Sequence, residues 1–167
     1  MATDAMTRPA HVIRLRGPWE HRLVARTSPP AGGPPGTGTS ELPPSGWVVM
    51  PADWNATLGP SFCGRVAYHR RFGRPTGLGP ADRVDLVIDG VDASGSVRLN
   101  GESLGEIPLG WQVWRCDVTA RLRPRNELIV EVERTPVIDG KPPIPRPGRD
   151  GLPGRLMGDV RLEIFIL

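Results

Sequence analysis

An all-β sandwich is the fold class this sequence predicts, and three observations predict it. Gly and Pro, 21 and 20 of the 167 residues, make up a quarter of the chain. Both interrupt helices and mark turns, so the elements must be short and the loops many. Apolar residues recur with a period of two in short runs. The cleanest is Glu-Leu-Ile-Val-Glu-Val-Glu at 127–133, with Leu128, Val130 and Val132 on one face. No segment sustains a helical period. Many short strands at turn-punctuated spacing mean a sandwich or jelly roll. The length suits one domain, 1–167, with one core, and 38% hydrophobic with 23% charged residues is an ordinary globular balance.

Each element follows from its residues. Residues 1–10 read as a frayed lead-in. His-Val-Ile-Arg-Leu at 11–15 alternates and reads as a strand; Gly17-Pro18 interrupts it, and 19–24 resume it. The Pro/Gly/Ser/Thr-rich stretch 27–46 lacks the apolar residues that would offset the entropy of ordering it, so a mobile loop is expected there. Residues 46–54 are apolar and broken by Pro51. Strands are expected at 65–72, with Val66, Tyr68, Arg70 and Phe72 on one face, and at 83–88 and 96–99. Asn100-Gly101 favours the positive φ angles of a tight hairpin, and 102–107 are the return strand. Residues 111–118 set Trp114, Cys116 and Val118 against Val113, Arg115 and Asp117. A short link, 119–125, leads to the strand at 127–133. A second Pro/Gly-rich loop covers 135–154, and 159–167 form the last strand.

Composition excludes several functions. The net charge of +3 comes from scattered residues, almost all arginine. No basic block tracks a phosphate backbone, so no nucleic acid partner is expected. No apolar run reaches membrane-spanning length, so no membrane is expected either. The first nineteen residues lack a signal-like apolar core and there are two cysteines, which reads as a cytoplasmic, reduced protein.

Catalytic constellations are hard to find. Most carboxylates fall in turns or on strand faces opposite apolar residues, which are solvated positions, and no pair suggests itself for glycoside hydrolysis. Ser94-Gly95-Ser96 lacks the setting of a nucleophile elbow. Cys116 falls in register with Trp114 and Val118 and reads as a buried, inert thiol; Cys63 stands in a loop with no histidine assigned to it. His11, His21 and His69 lack metal-ligand spacing. The five tryptophans are the best binding signal, because sugar C–H faces stack on aromatic rings while amides and charged groups bond the hydroxyls. Alternation places Trp114 in the core, and Trp19 and Trp47 are expected there too. Trp54, inside Asp53-Trp54-Asn55, and Trp111, beside Gln112, are the loop-like ones, open to a core or a ligand-platform role.

The order of short motifs is more specific than any one of them. Pro51-Ala52-Asp53-Trp54, Ala67-Tyr68-His69-Arg70-Arg71-Phe72, Gly90-Val91-Asp92-Ala93 and Val97-Arg98-Leu99-Asn100-Gly101 come first. Cys116-Asp117-Val118-Thr119, Asn126-Glu127-Leu128 and Gly158-Asp159-Val160-Arg161-Leu162-Glu163 follow. From about Trp47 onward this series resembles the N-terminal sugar-binding domain of glycoside hydrolase family 2, a galactose-binding-like jelly roll. In full-length members an immunoglobulin-like domain and a catalytic barrel follow, and the barrel carries the catalytic glutamates. The sequence ends at Leu167, so the resemblance implies a sandwich standing alone without the catalytic barrel, and no enzyme. Arg70 matches an arginine of the family's Tyr-Arg-Arg segment; the residues themselves also allow it a buried ion pair or an aromatic stack. The family's Gly-Ile-x-Arg segment is here Arg155-Leu156-Met157-Gly158. Asp150 is the nearest match to an upstream acid that reaches toward the sugar. No cofactor is expected; a structural calcium ion is common in such sandwiches, and nothing in the sequence marks a site for it.

The expected function is a non-catalytic carbohydrate-binding-like module. Its ligand residues would be Asp53, Trp54, Asn55, Arg70, Trp111, Gln112 and Asp150, and its partner a glycan or sugar. The alternative is a protein-interaction or structural sandwich with a protein partner and no sugar site, marked by an exposed apolar patch. A small hydrolase would instead show two carboxylates meeting in one pocket.

Overall fold

The computed structural model describes residues 8–26, 45–53, 64–89, 94–107, 113–134 and 155–166. Among them are twelve strands: β1 (His11–Arg14), β2 (Trp19–Arg26), β3 (Ser45–Val48), β4 (Ala52–Asp53), β5 (Gly64–Gly73), β6 (Arg83–Ile88), β7 (Ser94–Leu99), β8 (Glu102–Ile107), β9 (Trp114–Asp117), β10 (Arg125–Arg134), β11 (Arg155–Met157) and β12 (Val160–Phe165). One 3-10 turn, Thr119–Arg121, joins β9 to β10. A four-stranded sheet has the order β1-β12-β6-β9 and a six-stranded sheet the order β3-β2-β5-β10-β7-β8; β4 pairs with β11. The chain is the all-β sandwich its sequence predicts.

The inward parity of the strands builds one core. Val84, Leu86 and Ile88 on β6, Val160 and Leu162 on β12, and Leu128, Val130 and Val132 on β10 are almost fully buried. Each such side chain contributes about 1.5–3 kcal/mol. Trp19 lies at 0% exposure and its indole N–H donates to the Leu15 carbonyl at 2.6 Å, so the ring is buried with its one polar atom satisfied. Asn100 and Gly101 take φ of 53° and 86°, the left-handed pair of a two-residue hairpin.

The end of the sandwich beyond that hairpin is tied by side-chain amides. Asn126 accepts from the Arg123 amide and donates to the Arg123 carbonyl, both at 2.8 Å. Asn100 donates to Asn126 Oδ1 and accepts from the Glu127 amide, both at 3.0 Å. Asp117 and Thr119 lock the end of β9, the Thr119 amide donating to Asp117 at 2.9 Å and the Val84 amide to the Thr119 hydroxyl at 2.8 Å.

Several expectations are corrected. β3 begins at Ser45, so Ser45 and Gly46 are strand rather than the end of a loop, and Ala10 bonds the Ile164 carbonyl at 2.8 Å, which ties down the end of the lead-in. β9 begins at Trp114, three residues later than expected, and β11 was not anticipated. Trp114 is half-buried against the core rather than inside it. Trp47 is not core at all; it is 71% exposed. Its partner on β2 is Glu20, while Gly46 pairs with His21. Buried His21 faces inward, and a Cβ on Gly46 would stand 2.6 Å from its ring, so Gly46 takes the inward position and Trp47 the outward one. Asp85 and Glu163, read as solvated, are 1% and 6% exposed. Their outward parity is as expected, but arginines from neighbouring strands cover them.

Candidate functional site

The registers arrange the outer face of the six-stranded sheet in rows. One row runs Trp47–Glu20–His69–Ile129–Arg98, crossing β3, β2, β5, β10 and β7. The next runs Ser45–Arg22–Ala67–Glu131–Ser96–Glu106. Beyond it Arg65 pairs with Glu133 and Glu133 with Ser94. On the other side of the Trp47 row, Arg71 pairs with Glu127.

The exposed indole of Trp47 stands at one edge of this face. Glu20 is beside it, held by Arg22 at 2.9 Å, and His69 is the next residue across. A flat apolar ring flanked by fixed hydrogen-bonding groups is what a sugar face requires. Val49, two residues on, is also exposed.

At the hairpin end of the same face an open groove of about 700 Å³ is lined by Arg71, Phe72, Asn100, Arg123, Arg125, Asn126 and Glu127. Asn100 and Asn126 spend their amides on the backbone, so they shape the groove rather than offer it donors. The arginines are the groups left to meet a ligand. Arg71 lies 3.7 Å from Glu127, and Arg123 lies 4.0 Å from Glu102. Strand spacing and rise put Arg71 about 12 Å from Trp47.

At the opposite end Arg65, Ser94, Ser96, Arg98, Glu106, Glu131 and Glu133 line a cleft of about 240 Å³. This is where carboxylates meet, which the sequence did not bring together. Glu133 is paired with Arg65 at 3.2 Å, and Glu131 and Glu106 stand on either side of Ser96. Acid–base hydrolysis needs one carboxyl kept protonated by an apolar wall beside an ionised one. All the side chains here are polar, so nothing distinguishes the two in that way.

The sequence-predicted ligand residues are only partly placed. Trp54, Asn55, Trp111, Gln112 and Asp150 lie outside the described residues, as do Cys63 and nearly all of 27–46 and 135–154. Asp53 ends β4, where its backbone pairs with Arg155. Arg70 points inward like Val66 and Tyr68, and its guanidinium donates to the Pro18 carbonyl at 2.9 Å. Among the described residues it makes neither an ion pair nor an aromatic stack; it braces the β1–β2 crossover. Three buried polar atoms on this inner seam, His21 Nδ1, Tyr68 Oη and Arg70 Nε, have no hydrogen-bond partner among the described residues. Burial pushes the Tyr68 hydroxyl pKa up and the His21 imidazole down. The Cys116 thiol is half-buried rather than buried, and burial is the main cause that pushes its pKa up. Among the described residues no three His, Cys, Asp or Glu side chains converge as metal ligands, and no helix is long and apolar enough to cross a membrane.

The fold resembles Bifidobacterium dentium β-glucuronidase, solved with coumarin-3-O-glucuronide, at 22% identity and a TM-score of 0.64; the match covers 98% of this chain and 31% of that one. A Faecalibacterium prausnitzii β-glucuronidase matches at 21% identity and TM-score 0.61, over 97% of this chain and 32% of that one. A rhamnosidase from Novosphingobium sp. PP1Y matches at 21% and 0.64, over 99% and 16%. At such identities the likeness shows the fold, and this chain spans less than a third of each neighbour's length. No curated relative matches by sequence. Residues 62–142 match the family model described as glycosyl hydrolase 2 galactose-binding domain-like. Over residues 62–142, therefore, this chain is similar to the galactose-binding-like domain of glycosyl hydrolase family 2.

Proposed function

We propose that the domain is a non-catalytic carbohydrate-binding module, and that Trp47 is its stacking platform. The observation that carries this reading is a tryptophan 71% exposed on the edge strand of a sheet face, beside a fixed carboxylate–guanidinium pair, with an open groove at the hairpin end of the same face. Leaving an indole in water costs apolar burial, and a ligand that covers it recovers that burial. Asp53 at the end of β4, and Trp54, Asn55, Trp111, Gln112 and Asp150 outside the described residues, are proposed as a second set of contacts, on the resemblance alone. Isothermal titration against a glycan panel tests the reading. Binding is expected, and Trp47→Ala should weaken it at least about tenfold with the far-ultraviolet circular dichroism unchanged. Binding untouched by Trp47→Ala but lost in Trp54→Ala or Trp111→Ala moves the site to that second set.

One observation favours a second reading. Trp47 on the edge strand β3 and Val49 just past its end are an exposed apolar pair, the kind of surface that another protein covers. A protein-interaction module predicts no saturable sugar binding, and an association that Trp47→Ala abolishes.

A further inference from the structure

Resting on the sugar-binding reading above, we infer that the groove lined by Arg71, Arg123 and Arg125 receives the oxyanion groups of an acidic oligosaccharide whose chain crosses the sheet from Trp47. Three guanidiniums line the groove against one carboxylate, Glu127. That carboxylate is shared, with His69 at 3.8 Å and Arg71 at 3.7 Å, both beyond direct hydrogen-bond distance. Arg125 has no ion-pair partner among the described residues. Elsewhere the same chain sets arginines against carboxylates at 2.6–2.9 Å, as in Arg115–Glu163, Arg161–Asp89 and Arg83–Asp85. The groove therefore holds guanidinium forks with donors to spare.

The backbone that carries them is held in place. Arg123 is bonded through both its amide and its carbonyl to Asn126. Arg125 pairs with Gly73 in the ladder, and the Arg74 amide bonds the Pro124 carbonyl at 3.2 Å. Planar forks bind carboxylate or sulfate in two-point contacts, and a fixed backbone leaves only their side-chain rotamers to be ordered. The volume, about 700 Å³, is that of a small-ligand site. The separation of about 12 Å between Trp47 and Arg71 suits a chain of linked sugars rather than a single ring.

The test is isothermal titration of the protein with tetragalacturonate, with its neutral methyl ester, with a sulfated galactan tetrasaccharide and with a single-stranded DNA oligonucleotide. An acidic sugar should bind at least about tenfold tighter than the ester, and added salt should erase that excess. The carboxylated and sulfated arms show which oxyanion is preferred, and either one supports the assignment. The triple variant Arg71→Gln, Arg123→Gln, Arg125→Gln should lose the excess and keep the ester's affinity. Arg71→Gln alone, at a side chain 82% exposed, should lose part of it without risk to the fold. Equal affinity for acid and ester, or an unchanged excess in both variants, overturns the acidic specificity and leaves the sugar-binding reading standing. No binding of any sugar overturns both. Tighter binding of DNA than of either acidic sugar overturns the ligand class.

Discussion

The outer face of the four-stranded sheet and the groove at the hairpin end are both built on arginine, and they use it in opposite ways. On the four-stranded face Arg115 joins Asp85 at 2.8 Å to Glu163 at 2.6 Å, Arg161 joins Glu163 at 2.8 Å to Asp89 at 2.6 Å, and Arg83 grips both oxygens of Asp85 at 2.7 and 2.9 Å. The guanidiniums of Arg83 and Arg115 also lie 5.8 and 5.9 Å from the centre of the Phe165 ring. Val87, between Arg161 and Arg115 in register, is buried on this outer face. The arginines seal one sheet face like a lid of paired charge. In the groove the same side chain is left, among the described residues, with distant or no partners. A guanidinium already paired with a buried carboxylate stabilises the fold and has little left for a ligand; one without a close partner does the reverse.

The largest expected effect comes from unsealing the lid. Asp85→Ala leaves Arg83 and Arg115 without their shared carboxylate and should cost about 2–3 kcal/mol in urea unfolding. That is below the loss for a wholly buried pair, because both arginines keep partial access to water. If Asp85→Ala costs no more than a surface substitution, the lid is only a crystal-like ordering of solvated charge.

Acid should act on the lid next. Burial alone would raise the Glu163 carboxyl, but hydrogen bonds and charge from Arg161 and Arg115 outweigh it and hold the group below its ordinary value of 4.5. Asp117 is held below 3.8 in the same way: burial opposes, and the Thr119 hydroxyl and amide prevail. A depressed carboxyl stabilises the fold above its unfolded value and loses that contribution as pH falls through the folded one. His21 is also depressed from 6.5, by burial, so its contribution too is present above 6.5 and is lost on acidification. The melting temperature should be level from pH 6.5 up towards 9.0, where the unfolded chain begins to ionise the Cys116 thiol that burial keeps protonated, decline gently below 6.5 as His21 takes up a proton, and fall steeply below 4.5. His21→Gln should remove the upper decline and leave the lower one. A curve that rises on acidification contradicts this account.

Asn126→Ala tests the groove's base. It removes both bonds to Arg123 and the bond from Asn100, and should cost about 2 kcal/mol, together with a larger loss of acidic-sugar affinity than of neutral-sugar affinity. The smallest effect is expected from the groove's own surface: the triple Arg→Gln variant should change unfolding free energy by less than about 0.5 kcal/mol, since none of the three makes a close pair.

The contrast also separates what the sequence shows from what it hides. Alternation places Leu128, Val130 and Val132 inside, and Asn100-Gly101 marks its own turn, because both signals are local. Trp47 is misread because its side depends on which residue of β2 it pairs with. That register is set by Gly46 packing on His21, a contact between segments 25 residues apart in the chain. Asp85 and Glu163 have the outward parity that alternation assigns, yet they are buried, because their cover comes from arginines on β6, β9 and β12 that meet only in the sheet. The groove was missed for the same reason: Arg71 sits more than 50 residues before Arg123 and Arg125. What points to it in the sequence is only an excess of arginine near the two ends of one strand pairing, a signal too common to act on. The resemblance to the glycoside hydrolase domain was legible because ordered motifs survive where pairwise contacts cannot be read.

The most direct measurement is nitrogen-15 NMR of the arginine Nε–H groups with and without tetragalacturonate. The account predicts that Arg83, Arg115 and Arg161 give slowly exchanging signals that the sugar leaves unmoved, while Arg71, Arg123 and Arg125 exchange fast and shift or sharpen on binding. If the two sets exchange alike, or if the sugar moves the signals of the four-stranded face and spares the groove, the division of labour proposed between the two regions is wrong.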